Sequence, residues 1–309
     1  MSFLPVIAAP DSVRSNSNLT GLFLEGRSAS TIRAYRTDLN DFAAFLGATM
    51  PDALASILSA SAGQANEVVL RYRNALLQRG LKPTSVNRRL AALRSIVAFA
   101  RTMGMIDWQL AIRSVKTQAY RDTRGPGVEG VRAILSKLRG RGDAKGARDT
   151  VLVRLMFDCA LRCAEVISLD MEHASIQDGV LLVLRKGRTE RERISIPSPT
   201  RAALTDWLAV RGDHLGPLFT NLDRAKKGHR LTANGLYRVV RQLGKQIGLK
   251  VRPHGLRHAA VTRALELTSG DVRSVAKFSS HRSIQTVLLY DDARNDVAGQ
   301  IASLVAESV

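Results

Sequence analysis

The sequence contains few of the residues on which several protein classes depend. It has two cysteines in 309 residues, too few for a disulfide framework. Aromatic residues make up 5% of the chain, which argues against an RNA or single-strand binder that stacks bases on aromatic side chains. No run approaches the ~18 consecutive apolar residues of a membrane-spanning helix. We therefore expect no membrane segment, and the low cysteine content fits a reducing cytoplasm.

The two cysteines make a poor metal site. Cys159 and Cys163 are four residues apart and would share one face of a helix, but they lack the further cysteine or histidine ligands that zinc sites use. Small buried hydrophobic residues are the better interpretation. We expect neither a metal nor a cofactor. The first residues, MSFLPVIAAPDS, have no basic segment before their apolar run and make a poor signal peptide.

Acidic residues are scarce relative to basic ones. The chain has 46 lysines and arginines against 27 aspartates and glutamates, which gives a formal net charge of +19 and a pI near 10.9. Such a charge attracts polyanions, and DNA is the usual partner because binding releases its condensed counterions. Charge alone leaves two interpretations open, a DNA-binding protein and a ribosome-associated or simply basic one.

Hydrophobic periodicity divides the chain into two parts. Residues 1–117 predict an N-terminal unit of four helices, in which residues 1–12 form a loose arm. The periodicity fades in the polar segment VKTQAYRDTRGPG, so a linker is expected at residues 118–127. The clearest helix has apolar residues at three- and four-residue steps, at Ile32, Tyr35, Leu39, Phe42 and Leu46.

The polar faces of the N-terminal helices carry arginines. A run of charges is usually a solvated surface, but in so basic a chain a DNA-facing surface is the better interpretation. The candidate DNA contacts are Arg33, Arg36, Arg88, Arg89 and Arg94.

The second part, residues 128–309, predicts a mostly helical domain with one small sheet. The segments GVLLVLRKG and RERISIP alternate as two strands joined by a charged turn. Helices are expected on both sides of them, including one at 149–161 and one at 232–248. The fold class is therefore mainly α with a small β-sheet, a four-helix N-terminal domain followed by an α+β domain.

Four separated pieces of the second part carry residues suited to one reaction. They are ALRCAEVISL around Arg162, LRKGR around Lys186, PHGLRH with His254 and Arg257, and SSHRSIQTVLLY ending at Tyr290. Cleavage of a phosphodiester without a metal needs arginines for the extra negative charge and a general acid for the leaving oxygen. The nucleophile must also stay covalently bound to the phosphate, so that the energy of the broken bond is kept for religation. Tyrosine can fill this role. Each piece alone is weak evidence, whereas four in this order are specific.

In this order the pieces resemble the signature of the tyrosine recombinase, or phage integrase, family. That family carries Arg, Lys, His-x-x-Arg, His or Trp, and Tyr along the chain, and the N-terminal helices look like its core-binding domain. Two places differ. The lysine turn is usually Gly-Lys-Gly but here is Arg185-Lys186-Gly187, and the usual Leu-Gly before the second histidine is Ser279-Ser280. We expect the two serines to alter the local turn more than the chemistry.

The resemblance implies a role for each matching residue. Arg162 and Arg257 would clamp the non-bridging oxygens of the phosphate. His254 and His281 would hydrogen-bond the same phosphate, and His254 would help to accept or return the tyrosine proton. Tyr290 would form a 3′-phosphotyrosyl link.

Further roles follow for the neighbouring residues. Lys186 would protonate the leaving 5′ oxygen, although Arg185 or Arg188 could compete with it. Glu165 would orient a catalytic residue through a side-chain contact, without itself touching the phosphate. His258, the frequent histidine after the His-x-x-Arg box, is assigned the same supporting role. The basic residues of this part that we expect to contact DNA are Arg185, Arg188, Arg238, Arg241 and Lys245.

The resemblance also implies partners. The two domains would form a C-shaped clamp on double-stranded DNA with paired inverted arms, as a dimer on one site and a tetramer in the synaptic complex. The tail at 291–309 would dock on a neighbouring protomer, with packing on its own domain as the alternative. The resemblance further implies an accessory protein that sets the direction of recombination. A prokaryotic mobile element or a phage would encode such a recombinase, which would act in the cytoplasm.

Other functions share some of these features. A type IB topoisomerase uses similar chemistry on one strand without a partner protomer, but the AYRTDLNDFAAFL pattern and the tail favour a recombinase. A DNA-binding protein without catalysis would not need the complete residue set. An RNA-binding protein is disfavoured by the low aromatic content. The sequence therefore favours a site-specific recombinase.

Overall fold

The computed structural model of the chain divides into two units, residues 1–121 and 122–309, each with a hydrophobic core of its own. The loose arm expected at the N-terminus lies outside the described residues, as do residues 118–124 of the expected linker and most of the expected tail. The residues that the structure describes are 19–117, 125–281, 283–291, 302–303 and 305–308.

Helices form the described part of the N-terminal unit. The four-helix prediction corresponds to α2 to α5, and one short helix precedes them. Three of the helix starts are capped as the sequence allows, because Ser28, Thr49 and Ser61 each accept a hydrogen bond from the backbone N–H three residues on. The helices are α1 (Leu19–Leu24), α2 (Ala29–Leu46), α3 (Met50–Ser59), α4 (Ala62–Gln78) and α5 (Pro83–Thr102).

The core of this unit is built from the apolar faces of these helices. Phe42 and Tyr72 are fully buried, and their rings meet edge to face with centroids 5.1 Å apart, a favoured aromatic arrangement. Leu39 and Leu93 pack in the same cluster. The periodic residues of the clearest predicted helix thus face the core.

We compared the described helices with the length and apolar composition that a membrane-spanning helix needs. Among the described residues, no single helix is long and apolar enough to cross a membrane, whereas α2 and α3, bent by 74° at their junction, pass together by length and composition.

The C-terminal unit is mostly helical around one buried helix, α7, which packs against α6, α9 and α11. Its core includes Trp207, whose indole N–H donates to the carbonyl of Leu218 at 2.9 Å. Its helices and strands are α6 (Gly127–Arg139), α7 (Ala144–Asp158), α8 (Cys163–Ile167), β1 (Ala174–Ser175), β2 (Val180–Leu184), β3 (Arg191–Ser195), α9 (Ser198–Arg211), α10 (Ala233–Gln246), α11 (Pro253–Leu267), α12 (Val272–Ser279) and α13 (Ile284–Asp291).

The small sheet confirms the predicted hairpin and adds a short strand. The order is β1-β2-β3, all antiparallel, and the last pair of the hairpin is Leu184 with Arg191. Just beyond that pair, the Arg185 carbonyl accepts from the Arg188 N–H at 3.0 Å. This closes a turn with Lys186 at its tip, followed by Gly187 at φ 75°, a conformation that favours glycine.

Helix α7 ends earlier than predicted. The sequence suggested a helix at 149–161, but Asp143 caps an earlier start and Ala160 takes a left-handed conformation with φ 49°. Cys159 and Cys163 therefore do not share the face of one helix. Cys159 is buried, as expected of a small hydrophobic residue, whereas Cys163 is only partly buried. The early end places Arg162 just before α8.

Candidate active site

Arg162 stands immediately before α8 and is held by Glu165, one turn later. The Arg162 backbone N–H donates to Glu165 Oε2 at 2.9 Å, and its Nη1 donates to Oε1 at 2.8 Å. The side chain of Glu165 is 2% exposed, whereas that of Arg162 is 28% exposed. The carboxylate thus holds the guanidinium from inside while leaving it partly accessible.

A second arginine, Arg185, reaches the same carboxylate. Its Nη1 lies 3.2 Å from Glu165 Oε2 and its Nε 3.4 Å from Glu192 Oε2, and the side chain is only 4% exposed. Burial alone would raise the pKa of Glu165, but hydrogen bonds from Arg162 and the charges of both arginines lower it below its usual value. The structure thus gives Arg185 an internal position in place of the DNA surface predicted from the sequence.

Arg257 is the most deeply buried charged residue of the candidate site, at 1% exposure. Its Nη1 donates to the carbonyl of Ala160 and its Nη2 to the carbonyl of Ser279. Burial, together with the like charge of Arg162, lowers the pKa of Arg257 to about 10, so the guanidinium is still charged at neutral pH. Two backbone carbonyls from distant parts of the chain therefore fix its orientation.

The carbonyl partners of the two arginines come from two left-handed turns. Ala160 has φ 49°, and so has Ser280. The Ser280 carbonyl accepts from Arg162 Nη2 at 3.1 Å. The serine expected to alter the turn before the second histidine in fact occupies a conformation that suits glycine.

Ser280→Gly should therefore stabilise the protein. A non-glycine residue in the left-handed region costs roughly 1–2 kcal/mol, so we expect the free energy of unfolding to rise by about 1 kcal/mol. The matched control is Ser274→Gly inside α12, where glycine should lower that free energy by about 1 kcal/mol. Urea denaturation of both variants checks the prediction, and two changes of the same sign would contradict it.

The hydrogen bonds around His281 define its tautomer. The Ser279 hydroxyl donates to the carbonyl of Val275 at 2.6 Å, so it accepts from His281 Nδ1 at 2.7 Å. The other ring nitrogen, Nε2, is then unprotonated and accepts from Arg257 Nη2 at 3.3 Å. Burial and the nearby charges of Arg257 and Arg162 lower the pKa of His281 to about 4.

The pKa of His281 predicts a pH-dependent stability. Because the folded value lies below the ordinary 6.5, the unfolded chain binds the extra proton first as the pH falls. Stability from this group is present above pH 6.5 and is lost as the pH falls towards 4. Denaturation at half-unit pH steps should show a steeper loss for the wild type than for His281→Gln. Equal slopes in the two proteins would contradict the assignment.

Tyr290 lies in the last turn of α13 beside two histidine rings. Its ring centroid is 5.7 Å from that of His281 and 4.6 Å from that of His258. The residue is 7% exposed and packs in a small cluster with Val261 and Val287. His258 Nδ1 lies 3.2 Å from the hydroxyl of Thr262, which fixes that ring on the same helix as Arg257.

The structure thus brings together Arg162, Arg257, His281 and Tyr290 from three separate segments. Lys186 is exposed at the tip of the β2–β3 turn. His254 is exposed in the first turn of α11, close enough for its charge to lower the pKa of His281.

Models of one family match both units of the chain. The phage integrase family model matches residues 128–296, and the model of the N-terminal SAM-like domain of phage integrases matches residues 19–104. Tyrosine recombinase slr0733 of Synechocystis sp. is 37% identical, over 95% of this chain and 98% of its own length. The chain belongs to the phage integrase family. It is a tyrosine-type site-specific recombinase.

Solved structures share the fold of this recombinase. XerH site-specific recombinase bound to palindromic difH substrate covers 94% of this chain and 84% of its own, with a TM-score of 0.67 and 19% identity. A lambda integrase dimer bound to a COC' core site covers 94% and 97%, with a TM-score of 0.69 and 15% identity. This likeness confirms the fold class, mainly helical with a small sheet.

Three arginines predicted on the DNA surface of the recombinase's N-terminal unit have protein partners. Arg88 Nη1 lies 2.7 Å from Oδ2 of the buried Asp38, and Arg89 Nε lies 3.2 Å from Asp41 Oδ2. Arg94 donates to the carbonyl of Ile112. Burial raises the pKa of Asp38 against the opposing charges of Arg88 and Arg89. These contacts tie α2 to α5 and tie α5 to the chain that follows it.

The other predicted DNA contacts are on the surface. Arg33 and Arg36 are exposed on α2, and Arg188 is exposed in the β2–β3 turn. A further basic group on α10 lines a surface hollow of about 610 Å³ together with Tyr237 and Leu249. That group is Arg238, Arg241 and Lys245.

One group of residues in the described chain has metal-ligand geometry, Asp170, Glu172 and His173, whose ligand atoms lie within 4.8 Å of one another. The atoms that could bind a metal are already partly used in other contacts. His173 Nδ1 accepts from the backbone N–H of Asp170 at 2.9 Å, and the Asp170 carboxylate pairs with Arg230. These contacts describe an ion-paired turn.

The sequence did not identify the carbonyl and hydroxyl groups that hold the site. The backbone carbonyls of Ala160 and Ser280 orient arginines, but neither residue type predicts the left-handed turn in which it lies. The Ser279 hydroxyl fixes the tautomer of the neighbouring histidine. The available signal was at Ser280, where the family usually has glycine, because glycine often marks a left-handed turn.

Proposed function

We propose that this recombinase cleaves and rejoins DNA strands through a 3′-phosphotyrosyl intermediate formed on Tyr290. The Tyr290 oxygen attacks a backbone phosphorus, the bond from phosphorus to the 5′ oxygen breaks, and a second attack by a 5′ hydroxyl reverses the step. The observation that carries the proposal is the network joining Arg162, Arg257 and His281 beside the Tyr290 ring. Because the link conserves the bond energy, religation needs no ATP.

The arginines supply a preformed anion site. Arg162, Arg185 and Arg257 lie around the buried, ionised carboxylate of Glu165, and Arg185 also pairs with Glu192. The three arginines outnumber the two carboxylates, so the cluster keeps a net positive charge. A phosphate that gains charge in the transition state relieves this repulsion without further rearrangement of the protein. Arg162 is more exposed than Arg257 and would contact a non-bridging oxygen of the phosphate first. Arg257 would bind the same phosphate from the buried side.

His281 would change its role when a phosphate binds. Its Nδ1 stays on Ser279, so only Nε2 can reach a phosphate oxygen. That nitrogen must carry a proton to donate a hydrogen bond to the oxygen. Phosphate binding would therefore be coupled to proton uptake by His281, which the negative charge of the phosphate favours. His254, at the exposed start of α11, would accept the tyrosine proton and return it.

Lys186 is the better general acid in the β2–β3 turn. Arg185 is buried and bound to two carboxylates, so it does not compete for the leaving oxygen. Arg188 is exposed, but a guanidinium hardly releases its proton at any working pH. A lysine ammonium can release one, and Lys186 stands at the exposed tip of the turn.

The assembly would follow that of the structural neighbours. XerH is bound to a palindromic substrate and lambda integrase binds its core site as a dimer, which supports paired inverted arms and two protomers on each site. Exchange between two such sites requires four protomers. The tail at 291–309 would link them, and an accessory protein would set directionality in a prokaryotic cytoplasm.

Covalent selection tests the chemistry and identifies the DNA target in the same experiment. The purified protein is mixed with a pool of nicked duplexes that carry random inverted arms, and DNA that remains bound in denaturing detergent is amplified and sequenced. We expect the wild type to enrich inverted arms and Tyr290→Phe to trap no DNA. Tyr35→Phe, a tyrosine in the N-terminal core, is the matched control and should trap as much as the wild type.

Two labelled duplexes of the selected sequence then distinguish the functions. A recombinase gives hybrid duplexes that carry both labels, at a rate that depends on pairing of two sites. Relaxation of a supercoiled plasmid without hybrids would indicate a topoisomerase, and reversible binding without any covalent adduct would indicate a DNA-binding protein. Either of the last two results would contradict the proposal.

A further inference from the structure

The Arg185 side chain joins three parts of the catalytic unit. The residue directly follows β2, its Nη1 reaches Glu165 in α8, and its Nε reaches Glu192 in β3. Glu165 is 2% exposed and Arg185 is 4% exposed, so this contact is shielded from water. A buried charge-assisted contact of this kind has a defined geometry and is strongly destabilised when one partner is lost.

Arg185 is also the first residue of the turn that carries Lys186. Its carbonyl accepts from the Arg188 N–H at 3.0 Å, so the backbone on both sides of Lys186 is closed onto Arg185. A single peptide unit separates the anchored residue from Lys186. The position of the lysine backbone is therefore tied to Glu165, the carboxylate that also holds Arg162.

The planar guanidinium is suited to this position. It presents donors in two directions at once, and here one donor faces a carboxylate from α8 and another faces a carboxylate from β3. A lysine in its place would offer one compact charge and could not span both carboxylates in the same way. Glycine, the usual residue of the family before the lysine, would leave the turn without any side-chain anchor.

We propose that Arg185 is a positioning residue for the general acid, which holds the β2–β3 turn so that Lys186 stays within reach of the leaving 5′ oxygen. The inference rests on the proposed function, in which the bond from the Tyr290 oxygen to phosphorus forms, the bond to the 5′ oxygen breaks, and Lys186 gives that oxygen a proton. The proposed role of Arg185 concerns the last of these events, because its contacts hold the turn that carries Lys186.

A substrate with sulfur in place of the bridging 5′ oxygen separates this role from a structural one. A thiolate leaves without help from a general acid, because its pKa is far below that of an alkoxide. Single-turnover cleavage is measured on the selected duplex with oxygen and with sulfur at this position. The proteins compared are the wild type, Lys186→Ala, Arg185→Gly, Arg185→Lys and, as the control, Arg193→Ala.

On the oxygen substrate we expect Lys186→Ala to be slower by roughly 10²–10³-fold. Arg185→Gly should be slower by about 10–100-fold, because a small misplacement of a catalytic group has an effect of this size. Arg185→Lys should lie between Arg185→Gly and the wild type. On the sulfur substrate all three variants should come within about threefold of the wild type. Arg193, exposed on β3 opposite Leu182, loses the same charge and should change neither rate.

The outcomes separate the inference from the proposed function. If the wild type traps no adduct, or if sulfur does not rescue Lys186→Ala, the proposed function is wrong at the nucleophile or at the acid. If sulfur rescues Lys186→Ala but not the Arg185 variants, or if those variants cleave the oxygen substrate normally, the inference about Arg185 is wrong. Rescue by sulfur itself shows that a variant is folded, and Arg185→Lys serves if Arg185→Gly does not fold.

Discussion

Arg257→Lys should reduce the single-turnover rate of DNA cleavage by about 10³-fold, since removal of one preorganised donor to a developing charge has an effect of this order. Arg257 donates from Nη1 to the carbonyl of Ala160, and from Nη2 to the carbonyl of Ser279 and the ring of His281. A lysine keeps the charge but loses the planar arrangement of donors. The phosphate clamp would then lack one of its two oriented guanidiniums.

The control for Arg257→Lys is the same substitution in the same helix. Arg263 lies on α11, is about half exposed, and pairs with Glu266 at 3.1 Å. Arg263→Lys should leave the cleavage rate within about twofold, because exposed ion pairs contribute little. Affinity for the selected duplex, measured by anisotropy, should stay similar in both variants. A cleavage rate in Arg257→Lys close to that of the wild type would contradict the clamp.

Glu165→Ala should lower the free energy of unfolding by about 3–5 kcal/mol, which is the usual effect of removing one partner of a buried ion pair. Glu165 accepts from the backbone and side chain of Arg162 and from Arg185. Its loss leaves two arginine side chains close together with no carboxylate between them. Cleavage should fall in the same variant, because Arg162 loses the group that orients it.

The matched control for this stability change is Glu192→Ala. Glu192 pairs with the same Arg185 at 3.4 Å, but its side chain is 51% exposed. Its removal should lower the free energy of unfolding by less than about 1 kcal/mol. Urea denaturation of the two variants provides the comparison. Equal losses would show that Glu165 is not the buried centre of the arginine cluster.

The sequence was sufficient for the order of the proposed catalytic residues and for the main elements that carry them. Arg162, Arg257, His281 and Tyr290 are separated by up to 128 positions in the chain, yet the motif order alone predicted that they belong to one site. The hairpin around Lys186 was also predictable, because alternating apolar residues on both sides of a Gly-containing turn are typical of a β-hairpin.

The sequence was not sufficient for the contacts that depend on long-range packing. Arg185 in a charged turn suggested a DNA contact, but the buried carboxylate that it binds lies 20 positions away, and local pattern does not reveal such a pair. The same holds for Arg88, whose partner Asp38 is 50 positions away. The end of α7 was predicted too late because a left-handed alanine gives no signal in composition.

Peptide mapping of the trapped protein–DNA adduct tests the central claim most directly. After trypsin and nuclease digestion, the peptide Ser283–Arg294 should carry the mass of a nucleotide remnant, and fragment ions should place it on Tyr290. Tyr290→Phe, treated in the same way, should give only the unmodified peptide. A remnant on Ser283, on Thr286 or on a different tyrosine of the chain would contradict the assignment of Tyr290 as the nucleophile.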